Sequence, residues 1–416
     1  MPEKFIVGNR FCDSTRVKTI TNPYTNSAVG EVYLAGDSNF NESAEYLTKI
    51  SSEYEKLPVY RKQELLQSIS EKLNARKRDL AKIITDETGK PIKFSLIEIE
   101  RAILTFALGA EECSRIEGEV LQLDRLKGSE GKMGIVKRFP VGMVLGITPW
   151  NFPVNLVAHK VSPALASSNV IMIKPSSNSM LSAIELGKLI MEACAENDIT
   201  SIPLNVLTLS GPDIDKHVSD NRIKLISFTG SSDIGWGIKK KADRQKVSLE
   251  LGGNAGVIVE SDADVSAAAA KIAMGGFAQA GQSCISVQRV YINEKIYEEF
   301  RSKLIDAAEK IKYGNPYDED TIVGPMITED EALRAEKWIN EAKSKGAKIL
   351  TGGSRDKSVL QPTVIENAPN DSNVKCSEVF APIITIEKIT GFEEAVGEIN
   401  NSRFGLQAGI FTKDIR

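Results

Sequence analysis

The stretch from Gly142 to Ser177, GMVLGITPWNFPVNLVAHKVSPALASSNVIMIKPSS, decides the fold. Two short apolar runs, Met143–Ile147 and Val170–Ile173, flank a segment of helical character. Downstream the alternation continues through Asn205–Leu209, Ile223–Phe228 and Gly256–Val259. Strands alternating with helices are the mark of βα units stacked on a parallel sheet, which predicts an α/β class. A second series after Glu250 adds Val287–Ile292, Lys348–Leu350 and Ile383–Ile386. Upstream, residues 41–120 read as long helices, for example Tyr60–Leu73 and Leu80–Thr88, with apolar positions recurring at three and four. Gly89-Lys90-Pro91 stops the second of these. Between the helices and the first strand, Leu121 to Arg138 is polar with alternating character and predicts a projecting β-hairpin. There is no internal repeat and no low-complexity linker.

Size and charge bound the function. A chain of 416 residues divides into two or three domains and can bury a sizeable cleft. Apolar residues make up 42% and charged residues 26%, the ordinary range for a globular protein. A net charge of −4 lacks the excess of Lys and Arg that phosphate backbones require, so no nucleic-acid partner is expected. The one basic run, Lys239-Lys240-Lys241 with Arg244 and Lys246, falls where a helix should end, and cations there complement the helix dipole. No apolar stretch approaches a membrane span, and the N-terminus breaks after three apolar residues, so no membrane partner and a cytoplasmic location are expected. Cysteines at 12, 113, 194, 284 and 376 form neither a disulfide framework nor a paired zinc motif. With only His159 and His217 in the chain, no metal centre and no Ser-His triad are expected.

Several short pieces could carry chemistry. Leu225–Gly235 reads as a strand, a tight turn at Gly230 and a helix start, where free N–H groups and the Ser231 hydroxyl could bind a pyrophosphate. Its GxxxxG spacing also fits a plain βα turn. Lys174 closes a strand at the carboxyl end of the sheet, where ligands of such folds bind, although a surface lysine reads the same way. Prolines 149 and 153 fix the backbone around Asn151, whose amide could donate to an oxyanion or serve only a turn. Glu250 stands beside Gly252 and Gly253 at the end of a strand, a mobile carboxylate suited to general-base work or to an ion pair. Cys284 lies in a glycine-containing turn after a small-residue helix, Ala267–Ala280, where a thiol can be partly exposed with a lowered pKa; most cysteines are buried and inert.

Order and separation make these pieces specific: 23 residues separate Asn151 from Lys174, and 34 separate Glu250 from Cys284. With TPWNFP, PALA and IKPS, FTGS, LELGG, FAQAGQSC and EVFAP in register, the chain resembles the aldehyde dehydrogenase superfamily over essentially its whole length. The resemblance implies a Rossmann-type cofactor domain (residues 1–120 and 139–250), an oligomerisation hairpin (121–138) and an α/β catalytic domain (251–416). It implies that Cys284 attacks the aldehyde carbon, that Asn151 and the Cys284 N–H stabilise the oxyanion, and that hydride transfer leaves a thioester. Glu250 would then activate water to release the acid, and Lys160 would support proton movement or the cofactor. Cofactor contacts are carried over to Thr148, Pro149, Trp150, Lys174, Ser176, Ser177, Gly211, Phe228, Thr229, Gly230, Ser231, Leu251, Gly252, Glu378 and Phe380. Among these, Lys174 meets the adenosine ribose, Glu378 the nicotinamide ribose, and Phe380 packs beside the nicotinamide.

One departure bears on the cofactor. NAD-preferring members commonly carry a glutamate where this chain has Ser177, so NADP should be accepted at least as well as NAD. A second concerns length. Leu406–Phe411 reads as a strand, Thr412–Asp414 as a cap with no helix after it, and family chains run some tens of residues further, so the sequence is expected to be a fragment. A homodimer or homotetramer is implied, the tetramer and activity depending on that C-terminal region. Stretches NFPVNLVAHK and GQSCISVQR look like the branch acting on lactaldehyde, glyceraldehyde and phosphonate- or phosphate-bearing aldehydes, which implies a small hydroxy- or anionic aldehyde as substrate. Leu156, His159, Ser283 and Ile285 would line its pocket, with a neutral core His159 as the plainer reading. Rival readings are a CoA-acylating semialdehyde dehydrogenase and a non-catalytic member acting as a structural or binding protein.

Overall fold

A computed structural model describes residues 1–415. In chain order its strands are β1 (Phe5–Val7), β2 (Arg10–Cys12), β3 (Val17–Thr21), β4 (Ala28–Tyr33), β5 (Glu119–Gln122), β6 (Met133–Val136), β7 (Met143–Ile147), β8 (Val170–Lys174), β9 (Leu204–Val206) and β10 (Ile223–Gly230). They continue with β11 (Lys246–Leu251), β12 (Ala255–Val259), β13 (Val287–Asn293), β14 (Lys348–Thr351), β15 (Arg355–Asp356), β16 (Val359–Leu360), β17 (Thr363–Glu366), β18 (Ile383–Ile389) and β19 (Ala408–Phe411). A seven-stranded sheet runs β11-β10-β7-β8-β9-β1-β2, and a six-stranded sheet runs β14-β17-β18-β13-β12-β19.

Burial explains the first sheet. β7 and β8 are buried at all five positions each, as central parallel strands covered on both faces must be. They pair in parallel from Met143↔Val170 to Ile147↔Lys174, with β10 on the other side of β7. One hydrophobic core, Phe5 to Ile238, surrounds this sheet, and a second, Val257 to Ile386, surrounds the other. The helix Lys77–Thr88 ends at Gly89, whose φ of 69° is the left-handed C-cap geometry, and Pro91 precedes the next helix, Ile92–Glu112. The helix Ser232–Lys241 ends on its three lysines, and Lys241 pairs with Asp215.

Both sheets are mixed where the alternation of sequence predicted parallel strands. Phe5-Ile6-Val7 forms a fully buried strand between β9 and the edge strand β2, antiparallel to both, and β14 is antiparallel to β17. A three-residue strand is too short to show any period. The strand expected over Asn205–Leu209 spans only Leu204–Val206, while Leu207 and Leu209 stay buried beyond it. β5 and β6 pair from Glu119↔Val136 to Gln122↔Met133, a hairpin on which Val120, Leu121, Met133 and Ile135 are exposed. No helix among the described residues is long and apolar enough to cross a membrane.

Candidate active site

The parallel order β11-β10-β7-β8-β9 brings the carboxyl ends of five strands to one edge of the sheet. The chain moves outward from β7 through β8 and β9, then returns to β7's other side with β10 and β11, so the strand order reverses there. Such a switch point opens a crevice in which doubly wound sheets bind ligands. Thr148-Pro149-Trp150-Asn151 follows β7, Lys174-Pro175-Ser176-Ser177 closes β8, Phe228-Thr229-Gly230 ends β10, and Glu250-Leu251-Gly252 ends β11.

The crevice suits an anionic, hydroxyl-rich ligand. Ser231 caps the helix Ser232–Lys241 without a side-chain bond, so its exposed hydroxyl and the first helical N–H groups stay free for an anion. Phe228 packs beneath the turn: a Cβ on Gly230 would meet its ring at 2.6 Å. The Thr148 Oγ1 is buried and has no hydrogen-bond partner. Lys174 is 7% exposed, and no carboxylate influences its ammonium; burial, then the charge of Lys18, pushes its pKa down to about 8. Ser176 Oγ accepts from the Asn178 N–H at 3.3 Å, and Ser177 is half-buried. These features fit a nicotinamide dinucleotide, with its pyrophosphate at Ser231 and its adenosine side at Lys174. Gly211 begins a short helix beyond β9 and is exposed with open space around it, so nothing local demands a glycine there.

A buried cation without a partner costs stability. Because its folded pKa lies below the ordinary 10.5, that cost is fully present below about pH 8 and fades as the pH rises toward 10.5. Lys174→Met is therefore expected to stabilise the cofactor-free protein at pH 7 by on the order of 1–3 kcal/mol, with the gain gone near pH 10. Urea melts at the two pH values check this, and equal midpoints at pH 7 would refute it.

The second sheet contributes the thiol. The helix before it spans Val265–Phe277, ending three residues earlier than the apolar run suggested, because Gln279, Ala280 and Gly281 take φ of 56°, 57° and 64°. Left-handed backbone costs a non-glycine residue roughly 1–2 kcal/mol, so the surroundings must impose it. At Gly281 a Cβ would meet the Ala381 carbonyl at 2.1 Å, so only glycine fits. Gln279 Nε2 donates to the Asn151 carbonyl at 2.7 Å, Asn151 Nδ2 donates to the Gln282 carbonyl at 3.1 Å, and Gln282 Oε1 accepts from the Ile327 N–H at 2.8 Å. These bonds join the loop of Cys284 to the loop of Asn151. Asn151 is buried, and its Nδ2 retains a second hydrogen after serving Gln282.

Cys284 is half-buried. Burial first, then the carboxylates of Glu378 and Glu250, push its thiol upward, the reverse of the lowered pKa expected from the turn alone. The loop follows the carboxyl end of a helix, and no cation acts on the sulfur. Glu250 is exposed at the end of β11 with no hydrogen bond or ion pair among the described residues. Glu378 Oε1 accepts from the Gly253 N–H at 3.1 Å, and a Cβ on Gly252 would meet this carboxylate at 2.1 Å. Phe380, at φ 50°, sets its ring edge-on to Trp150 with centroids 5.6 Å apart. Buried Lys160 donates to Ser227 Oγ at 3.1 Å and to Thr229 Oγ1 at 2.9 Å; burial lowers its pKa to about 8 against the opposing pull of Glu250. Leu156 and Ser283 are half-buried and Ile285 is exposed; His159 is exposed and not the core histidine of the plainer reading.

Sequence reasoning passed over the residues that hold these groups. Gln279 and Gln282 looked like ordinary polar positions. Glu98 accepts from the Val154 and Asn155 N–H groups at 2.8 and 3.0 Å, and its buried partner Lys90 sits 4.0 Å over the Phe152 ring. Gln288 accepts from the Val379 N–H at 3.1 Å and donates to the Ser377 carbonyl at 2.6 Å, clasping Glu378 from both sides. The one available signal was polar residues at positions that helix or strand period assigns to the core.

The sequence model described as "Aldehyde dehydrogenase family" matches residues 11–416. A 3-sulfolactaldehyde dehydrogenase of Priestia aryabhattai is 39% identical over 402 residues, covering 95% of this chain and 82% of that protein. Aldehyde dehydrogenase 21 from Physcomitrella patens, solved in complex with the reaction product succinate, superposes with a TM-score of 0.95 at 39% identity, over 100% of this chain and 86% of that one. The glyceraldehyde-3-phosphate dehydrogenase GapN from Methanocaldococcus jannaschii, complexed with NADP, gives 0.91 at 36% identity, over 97% and 87%.

Proposed function

We propose, from the premise that this chain belongs to the aldehyde dehydrogenase family, how its site oxidises an aldehyde to a carboxylic acid with NAD(P)+. The observation that carries the reading is one half-exposed thiol, Cys284, tied through Gln282 to Asn151 and lying within the field of Glu250. Cys284, its proton lost to solvent, adds as the thiolate to the aldehyde carbon, and the free N–H of Asn151 with the Cys284 N–H receives the oxyanion. A bound nicotinamide supplies the hydride acceptor. Phe380 and Trp150 would wall its place, and Glu378 would hold its ribose hydroxyls. The resulting thioester on Cys284 is cleaved by water that Glu250 deprotonates, giving the acid and a free thiol. Lys160, held by Ser227 and Thr229 and within the field of Glu250, supports proton movement or the cofactor.

An unpaired, exposed carboxylate at Glu250 supports hydrolysis over transfer to coenzyme A. Relatives acting on sulfolactaldehyde and glyceraldehyde 3-phosphate support a small hydroxy- or anionic aldehyde as substrate, with Leu156, His159, Ser283 and Ile285 around it. Ser177 in place of a carboxylate supports NADP alongside NAD. The exposed apolar hairpin β5–β6 supports a homodimer or homotetramer. A panel of short aldehydes, assayed by reduced-cofactor absorbance with and without coenzyme A, tests the reading. No reduction with any aldehyde would overturn it, and an acyl-CoA product would replace hydrolysis by transfer. Asn151→Ala is expected to lower kcat by about 10²–10³ with KM little changed, since the lost donor acts on the oxyanion alone. Steady-state kinetics check this, and an unchanged kcat would remove the amide from the mechanism.

A further inference from the structure

The segment that presents Asn151 is also held by two helices upstream of it, through a pair of opposite charges. Lys90 lies in the turn between the helices Lys77–Thr88 and Ile92–Glu112, and Glu98 lies on the second of them. Their side chains are 1% and 0% exposed and form an ion pair. Among the described residues, the other polar and ring contacts of these two side chains fall on the four residues after Asn151. Glu98 Oε1 accepts from the Val154 and Asn155 N–H groups at 2.8 and 3.0 Å, and the Lys90 ammonium stands 4.0 Å from the Phe152 ring centroid. Val154 caps the helix Asn155–Ala166, its side chain has no oxygen to accept an N–H, and the first turn holds no acidic residue. A carboxylate from another helix therefore takes the place of the missing cap and complements the positive end of the dipole. That helix carries His159 and Lys160.

Burying two charges to pair them stabilises a fold little, because the desolvation cost offsets the attraction, and apolar side chains of like volume often do as well. What this pair supplies is geometry: Glu98 fixes the backbone at the helix start, and Lys90 spans Glu98 and the Phe152 ring. Gln279 and Gln282 grip Asn151 from the loop of the other sheet, so two separate clasps locate its amide. An oxyanion donor displaced by about 1 Å forfeits on the order of a hundredfold in rate. We infer that Lys90 and Glu98 are positioning residues of the reaction, holding the turn Asn151–Asn155 so that the Asn151 amide meets the oxyanion, and that their charges serve kcat and not folding. This role rests on the reading of Asn151 as the oxyanion donor.

Neutral side chains of similar size keep the packing and remove the charges. Lys90→Met/Glu98→Gln, with Lys90→Met alone beside it, would be made in wild type and in Asn151→Ala. Each would be assayed on the short aldehyde that wild type turns over fastest, lactaldehyde and glyceraldehyde 3-phosphate among those tried, and melted in urea. The expected result for the double variant is a urea midpoint equal to or above that of wild type, kcat lower by about 10–100-fold and KM within about twofold. In the Asn151→Ala background the same substitutions should lower kcat by less than about twofold, because the amide they act through is gone. Lys90→Met alone leaves Glu98 on its two N–H groups and should lose less than the double variant. An unchanged kcat, or an equal fall with and without the Asn151 amide, would overturn the positioning role and leave Asn151 as the donor. Failure of both variants to fold, or a kcat that falls only in step with the folded fraction, would make the pair structural and overturn it too. Wild-type kcat in Asn151→Ala itself would remove the donor and its positioning residues together.

Discussion

Cys284→Ala is expected to reduce aldehyde oxidation by about 10⁴-fold or more, the scale seen when a covalent nucleophile is removed. No other thiol is placed to substitute for it. Cys113 and Cys194 are buried, Cys12 lies on the edge strand β2, and Cys376 is exposed on the short helix Asn373–Cys376. Because burial and two carboxylates raise the Cys284 thiol, the cofactor-free protein should be alkylated slowly at neutral pH, and faster as the pH climbs past the ordinary thiol range. Cys376 is the readily modified site, so Cys376→Ala serves as the background for alkylation and should leave turnover intact. Rates of reduced-cofactor formation, with mass spectrometry of the acylated peptide, decide the matter. Retention of even a tenth of wild-type activity by Cys284→Ala would displace the nucleophile.

Glu250→Gln should separate the two halves of the reaction. On the proposed mechanism capture and hydride removal need Cys284 and Asn151, so one equivalent of reduced cofactor per site is expected in a rapid burst. Hydrolysis needs the carboxylate, so the steady-state rate should fall by about 10²–10⁴. The trapped species is a thioester, visible as an acyl mass on the Cys284 peptide and released by hydroxylamine. Glu250 is exposed, free of hydrogen bonds, and bordered by Gly252 and Gly253, so glutamine there disturbs no packing. Loss of the burst together with the steady state would move Glu250 into the first half-reaction, and an unaffected steady state would remove it from the chemistry.

What could be read from the sequence follows the length scale of each signal. β7 and β8 were legible because runs of five and four consecutive apolar residues, Met143–Ile147 and Val170–Ile173, admit few other readings, and their carboxyl ends placed Asn151 and Lys174 on one rim. β1 was not legible, since three residues show no period and its partners lie elsewhere in the chain. The motif around Cys284 singled out the sulfur, but the turn suggested a lowered thiol pKa, whereas burial and then Glu378 and Glu250, 94 residues downstream and 34 upstream, raise it. Gln279 was hidden for the same reason, because its amide serves a carbonyl 128 residues away. Long-range electrostatics and clasping amides leave no mark on local composition.

The amides of Asn151, Gln279 and Gln282 have one more consequence. They lie on a seam, with Asn151 and Glu250 on one bank and Cys284 on the other. On the proposed mechanism, competence belongs to the junction of the two sheets and not to either alone. A small hinge at that seam would silence the molecule while circular dichroism still reported intact helices and strands, so turnover is the more sensitive gauge of the native state.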